Sequence, residues 1–342
     1  MFIAAGIGAR VACLFRMVPF DGDLAVFGLM AKHISEGSAF PVYMPLLHYA
    51  GSLGAFMGAG LFKVFGLSYN AYGTVGIIYS LFWVFFTFLL GRKVTDRAGV
   101  FFTIAFSLIP PFGLLYYSLF TGVHAENLVF IPLILLFAIK WEQADHGDER
   151  PFLLAAGFIS GLGLWSTPGA LPAITVAVFV FFVNGRGSSR SLGALLFFAL
   201  GFLAGYAPAI AYNFEHPMAT AFRMLGRVFG LDRSVLVSPD PIGEALGGAW
   251  RRLLSVPASL FRIPRLLAGL IGLPNLAVFA AAAAWAWKKR RANGLYIFIV
   301  YAAVFAAFYS LLIGEESPRY MVGLAVIVPI LTGKLLSDLR PK

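Results

Sequence analysis

PLLHYAGSLGAFMGAGLFKVFG, residues 45–66, is the stretch on which the fold turns. It is long enough to cross a bilayer, whose hydrocarbon core takes about 20 apolar residues. It is also glycine-rich, begins with Pro45 and carries His48 and Lys63. Charge placement decides between crossing and lying flat. If the stretch crosses, the basic RKVTDR (92–97) emerges on the same side as residues 20–44; if it lies flat, RKVTDR emerges on the other side. The flat reading gathers Arg92, Lys93, Arg97, Lys140, Arg150, Arg186, Arg190, Lys288, Lys289, Arg290, Arg291, Lys334, Arg340 and Lys342 in short loops on one face. The positive-inside rule assigns that face to the cytoplasm. Residues 45–66 are therefore expected to be interfacial or re-entrant, packed against protein.

The rest of the chain fits a membrane protein. Of its 342 residues, 60% are hydrophobic and 12% charged, and the mean hydropathy is +0.84. That charged fraction is about half of an ordinary soluble domain's, which excludes a soluble enzyme, a disordered chain and a disulfide scaffold. Cys13 is the single cysteine. The net charge of +10 is explained by loop anchoring, with no nucleic-acid partner. Apolar runs at 1–19, 72–91, 98–118, 124–140, 152–167, 169–184, 191–212, 266–287, 294–313 and 320–337 are read as spans. The expected fold class is an all-α polytopic transmembrane bundle of about 10 spans, one domain over 1–342, with juxtamembrane helices on the outer face. Two larger segments, 20–71 and 213–265, face outside. In the first, Leu24, Phe27, Met30 and Ile34 share one helical face, and Gly37 and Pro41 stop the helix. In the second, GAWRRLLSVPASLFRIPRLL mixes Trp250 and Phe261 with arginines, a pattern suited to lipid headgroups.

Function has to come from the few polar residues on that outer face. Asp21 and Asp23 follow the first span; alternate carboxylates can serve as a general base or hold a divalent metal, and an aspartate at a helix start explains them equally. His124 and Glu126, in FTGVHAENLVF, lie where a charge is costly unless paired or wetted. They form either a self-satisfied pair or the second polar wall of a cavity that also holds Asp23. Glu316, Arg319 and Tyr320 lie in GEESPRYMVGL at the mouth of the last span. Arginine offers a rigid fork matched to phosphate, while a boundary anchor with a belt tyrosine is the plainer account. Arg223 and His48 join the substrate-binding candidates. Walker A, CxxC, HExxH and Rossmann signatures are missing from the sequence.

These residues carry a resemblance. An arginine in the first span (Arg10), the acidic Asp23-Leu24-Ala25, the amphipathic GLMAKHISEG, the run HYAGSLGAFMGAGLFKVFGLS, the basic LLGRKVTDRAG and the closing PRYMVGLAVIVP together resemble the GT-C glycosyltransferase superfamily. More narrowly, they resemble bacterial membrane relatives of protein O-mannosyltransferases and of the lipid A aminoarabinose transferase. The resemblance implies a polyprenyl-phosphate-linked sugar as donor and a lipid, glycan or protein acceptor. It also implies a site at the outer face of a bacterial cytoplasmic membrane, with Asp23 as base or acceptor-orienting residue and Arg319 facing the donor phosphate. The chain departs from the family pattern at Leu24 and Gly54, where a glutamate is usual; Asp21 is placed to substitute. The competing readings are a lipid or sugar transporter or flippase, which predicts midplane polar residues and inverted repeats, and a non-catalytic envelope scaffold.

Overall fold

A computed structural model describes residues 2–16, 22–45, 47–119, 123–143, 150–183, 188–217, 220, 241–288, 294–313 and 317–339. The described structure is almost wholly helical, and each apolar run of the sequence becomes a helix or a bent pair of helices. The first run is α1 (Phe2–Arg16), followed by α2 (Gly22–Ser35). The stretch at 45–66 divides. A short antiparallel hairpin, β1 (Tyr43–Met44) and β2 (Leu47–Gly51), leads into α3 (Leu53–Phe65). At 13 residues, α3 is about 20 Å long, too short for the bilayer core.

The next helix, α4 (Tyr69–Val94), is capped by Ser68, whose hydroxyl accepts from the Ala71 amide at 3.1 Å. Then α5 (Arg97–Leu108) starts at Asp96, whose carboxylate accepts from the Gly99 amide at 2.8 Å. That bond holds the Asp96 carboxyl below the usual carboxylate range. Pro110 and Pro111 stop α5, because proline lacks an amide donor and clashes with the preceding turn. The chain resumes as α6 (Phe112–Leu119) at 66° to it.

Further on come α7 (Val123–Glu142), α8 (Arg150–Ser166), α9 (Leu171–Val183), α10 (Ser188–Gly205) and α11 (Ala207–Glu215), the last two bent by 62°. A long helix α12 (Pro241–Ile271) and α13 (Leu273–Lys288) meet at Gly272, which takes φ +82°. Next are α14 (Leu295–Phe308) and a 3₁₀ turn (Pro318–Met321), followed by α15 (Val322–Ala325) and α16 (Val328–Leu339).

Among the described residues, three helices are long and apolar enough to cross a membrane, or six if each bent pair is one span. In their described residues the ten expected runs are helical but for short breaks, and several are shorter than an uninterrupted span. Two differences stand out. The expected span 266–287 is broken at Gly272, where the left-handed turn ends α12. Within α12, Leu253–Ile271 passes the length and apolarity test, although part of it lies in a segment read as an outer loop.

Two packing devices hold the bundle. Gly157 and Gly161 of α8 face Gly201 and Gly205 of α10. A methyl on any of the four would run into a carbonyl of the facing helix, at Phe198, Phe202, Leu154 and Phe158 respectively. Small residues at four-residue spacing allow this approach, and it substitutes for a hydrophobic drive that lipid does not supply. The second device is Arg10, which is fully buried. Its guanidinium donates to the carbonyls of Ser107 (2.8 Å), Leu108 (2.6 Å) and Gly6 (2.9 Å) and to the Ser80 hydroxyl (2.7 Å). The Ser107 and Leu108 carbonyls belong to the last turn of α5, where a helix end leaves acceptors without intrahelical partners and carries partial negative charge. Arginine is thus the cap of the broken span.

The face assignment is testable with cysteine labelling, since Cys13 is buried. Cysteine at the exposed Ser38 is expected to react with an impermeant maleimide added outside intact cells, and cysteine at the exposed Lys93 is not. Equal labelling of both from outside would refute the flat reading of residues 45–66.

Candidate active site

Three segments far apart in the chain converge on Asp23. The first is the start of α2. Its apolar face, Leu24, Phe27, Met30, Ala31 and Ile34, is buried and packs on α3. That fixes the opposite side of the first turn, where Asp23 sits half-exposed at the positive end of the helix dipole. The second is the 3₁₀ turn that carries Arg319 and Tyr320. Pro318 starts this turn and leans on α12, within 3.4 Å of where a Cβ on Gly269 would stand. The third is the first turn of α7, with His124.

Contact links these side chains in series. The Arg319 Nη1 lies 3.6 Å from Asp23 Oδ2, with the two side chains 30% and 45% exposed. The guanidinium also sits over the Tyr320 ring at 5.2 Å, and its Nη2 donates to the Tyr320 hydroxyl at 3.4 Å. Tyr320 in turn meets the His124 ring edge-on at 4.9 Å. An ion pair this exposed contributes little to stability, about 0–1 kcal/mol. Its interest is chemical: a proton acceptor and a planar cation share one water-accessible site.

Glu126 is two residues along α7 and has different partners. It is 1% exposed. Its Oε1 accepts from the Gly54 amide and the Tyr79 hydroxyl, each at 3.1 Å, and its Oε2 accepts from the Ser166 hydroxyl. One carboxylate therefore ties together α3, α4 and α8. A Cβ on Gly54 would stand 3.2 Å from Oε1, so the carboxylate of Glu126 fills the space in front of residue 54.

His48 is held on β2 by Tyr212 of α11, with Nδ1 2.7 Å from the phenol oxygen and the rings stacked at 5.8 Å. Tyr212 also stacks on His216 at 4.3 Å and meets Tyr43 edge-on at 5.0 Å. Burial raises the Tyr43 phenol well above its ordinary value, so it stays neutral. The hairpin comes this close because Gly51 lies against the Trp165 carbonyl, where any side chain would clash. The Trp165 indole donates to the Val42 carbonyl at 3.1 Å.

The structure thus brings together Asp23, His124, Arg319 and Tyr320, while the contacts of Glu126 and His48 run to other groups. Asp21, Arg223 and Glu316 lie outside the described residues. Sequence reading missed Tyr79, Ser166, Tyr212 and the Gly54 amide, since hydroxyls and backbone donors carry no pattern of their own.

No family model matches the sequence, and no curated protein matches it. Its fold does have solved counterparts. ArnT from Cupriavidus metallidurans, in a crystal structure bound to undecaprenyl phosphate, superposes with a TM-score of 0.70 at 15% identity over 99% of this chain. The fold is GT-C.

A second GT-C neighbour is the Archaeoglobus fulgidus oligosaccharyltransferase crystallised with Zn and sulfate, with a TM-score of 0.60 and 14% identity over 99% of this chain. The archaeal enzyme AglB, solved with an inhibitory peptide and a dolichol-phosphate, gives 0.58 and 14% over 98%. This chain spans 60% of ArnT's length and about half of the archaeal enzyme's. Among the described residues, no three His, Cys, Asp or Glu side chains gather as ligands, and Asp23 faces a cation, Arg319, on one side. Asp21, the other carboxylate expected to hold a divalent ion with Asp23, lies outside the described residues.

Proposed function

We propose that the chain is a membrane glycosyltransferase that moves a sugar from a polyprenyl-phosphate donor to an acceptor hydroxyl. The observation that carries this reading is the 3.6 Å approach of Asp23 to Arg319, backed by the GT-C fold. The reaction needs few protein groups, because the sugar–phosphate bond is already activated. Asp23 accepts the proton of the acceptor hydroxyl as its oxygen attacks the anomeric carbon. The bond from that carbon to the phosphate oxygen breaks, and its electron pair leaves with the lipid phosphate. Arg319, Tyr320 and His124 then meet the added negative charge. Positioning, proton removal and charge stabilisation are the usual sources of rate in such a site. A single displacement inverts the anomeric centre. His48 and Glu126 serve as binding and framing residues, and Asp21, Arg223 and Glu316 complete the proposed set. The site belongs to the outer face of a bacterial inner membrane in this reading.

The test is consumption of a panel of undecaprenyl-phosphate sugars by the purified protein, with Arg319→Lys beside it. Lysine keeps the charge and loses the fork. One charge-assisted hydrogen bond to phosphate contributes about 1.5–3 kcal/mol, so donor use is expected to fall about 10- to 100-fold with the fold intact. A lysine variant with unchanged donor kinetics returns Arg319 to the role of membrane anchor.

A further inference from the structure

Among the longer helices, α12 has one long face that the protein core leaves uncovered. At 3.6 residues per turn, its side chains sort into three strips. Ser259, Leu266, Leu267 and Leu270 are buried against the protein. Trp250, Leu254 and Phe261 fall within about 40° of one another and are 62%, 63% and 85% exposed. Beside them, Arg251, Arg262 and Arg265 lie within about 60°. The chain has no acidic residue between Glu244, near the start of α12, and Glu315.

The row also has a direction. Gly269 lies on the same strip, one turn beyond Arg265, and it is where Pro318 rests, immediately before Arg319. From Arg251 to Gly269 the helix runs about 27 Å. It carries an apolar lane and a basic lane side by side and ends against the turn that carries Arg319.

We propose that α12 is a docking rail for the lipid itself. An isoprenoid monophosphate settles with its hydrocarbon on Trp250, Leu254 and Phe261 and its phosphate on Arg251, Arg262 and Arg265, and the row leads it to Arg319. This rests on the transferase reading above and adds the route by which the donor arrives. The lipid commits to a phosphate headgroup because the row ends at a phosphate-matched arginine, and to a long chain because the apolar lane runs beside the basic one.

The test uses the full chain in phosphatidylcholine nanodiscs, with undecaprenyl phosphate and the short, water-dispersed citronellyl phosphate as probes. The variant is the triple Arg251→Gln, Arg262→Gln, Arg265→Gln. Arginines at a membrane surface add up to an expected loss of about 100-fold in undecaprenyl phosphate affinity, with citronellyl phosphate binding within about twofold of the parent, since the short probe reaches Arg319 from water. Equal affinity of parent and variant for the long lipid overturns the rail, as does equal loss of both probes or a parent that binds neither. Displacement of undecaprenyl phosphate by phosphatidylglycerol at equal mole fraction also overturns it, because the row is then a general anionic-lipid surface. A parent that binds undecaprenyl phosphate through the row yet turns over no sugar-linked form leaves the rail standing and fails the transferase reading alone.

Discussion

Asp23→Asn is expected to cut sugar transfer by about 10²- to 10⁴-fold, the range a positioned general base contributes, while leaving the protein folded. Asparagine matches aspartate in size and is as good at a helix start. What it loses is the ability to take a proton at neutral pH, and the exposed contact with Arg319, which is worth about 0–1 kcal/mol. Initial rates with an accepted undecaprenyl-phosphate sugar, read beside thermal unfolding of the same preparation, separate the two consequences. Undiminished transfer in the asparagine variant places the base elsewhere, with Asp21 the next residue to examine. A fall in rate that tracks a fall in stability shows Asp23 to be a helix-start residue only.

Glu126→Leu is expected to bring the largest loss of stability from a single side chain in the site. Three donors, the Gly54 amide and the Tyr79 and Ser166 hydroxyls, converge on this buried carboxylate. Leucine leaves all three without an acceptor. Interhelical hydrogen bonds in membrane proteins are worth about 0.6–1.7 kcal/mol each, so the expected cost is about 2–5 kcal/mol, measured by reversible unfolding in bicelles. Glu126→Gln retains one acceptor oxygen for Gly54 and Tyr79, and the Ser166 hydroxyl can turn to accept from the new amide. It is expected to recover most of the loss. A leucine variant as stable as the parent shows that the three donors are aligned for chemistry rather than for assembly.

Much of the fold was legible because hydrophobicity and charge are written locally. The face of α2 could be listed from its sequence, and Leu24, Phe27, Met30 and Ile34 are all buried. Loop charge alone set residues 45–66 apart from the expected spans, and the helix α3 within them has 13 residues. What could not be read was where the apolar runs would break. Gly272 gives no more sign of a left-handed turn than the chain's other glycines do, yet it divides an expected span. The site shows the same division. Asp23, His124, Arg319 and Tyr320 could be named as polar residues at span ends, but their contact depends on segments about 100 and 300 residues away. Gly54 reads in the sequence as a missing carboxylate. Folding supplies one there from Glu126, 72 residues later in the chain.

The buried arginine of α1 bears on how the helices depend on one another. A helix that carries arginine near its centre enters the bilayer at a cost of about 2.5–3.5 kcal/mol on translocon insertion scales. The acceptors that relieve that cost, the carbonyls of Ser107 and Leu108, are 97 and 98 residues further along the chain. Arg10 therefore has its full set of partners only when both α4 and α5 lie against α1. The two prolines that follow α5 end the helix where its last carbonyls can serve the arginine of another.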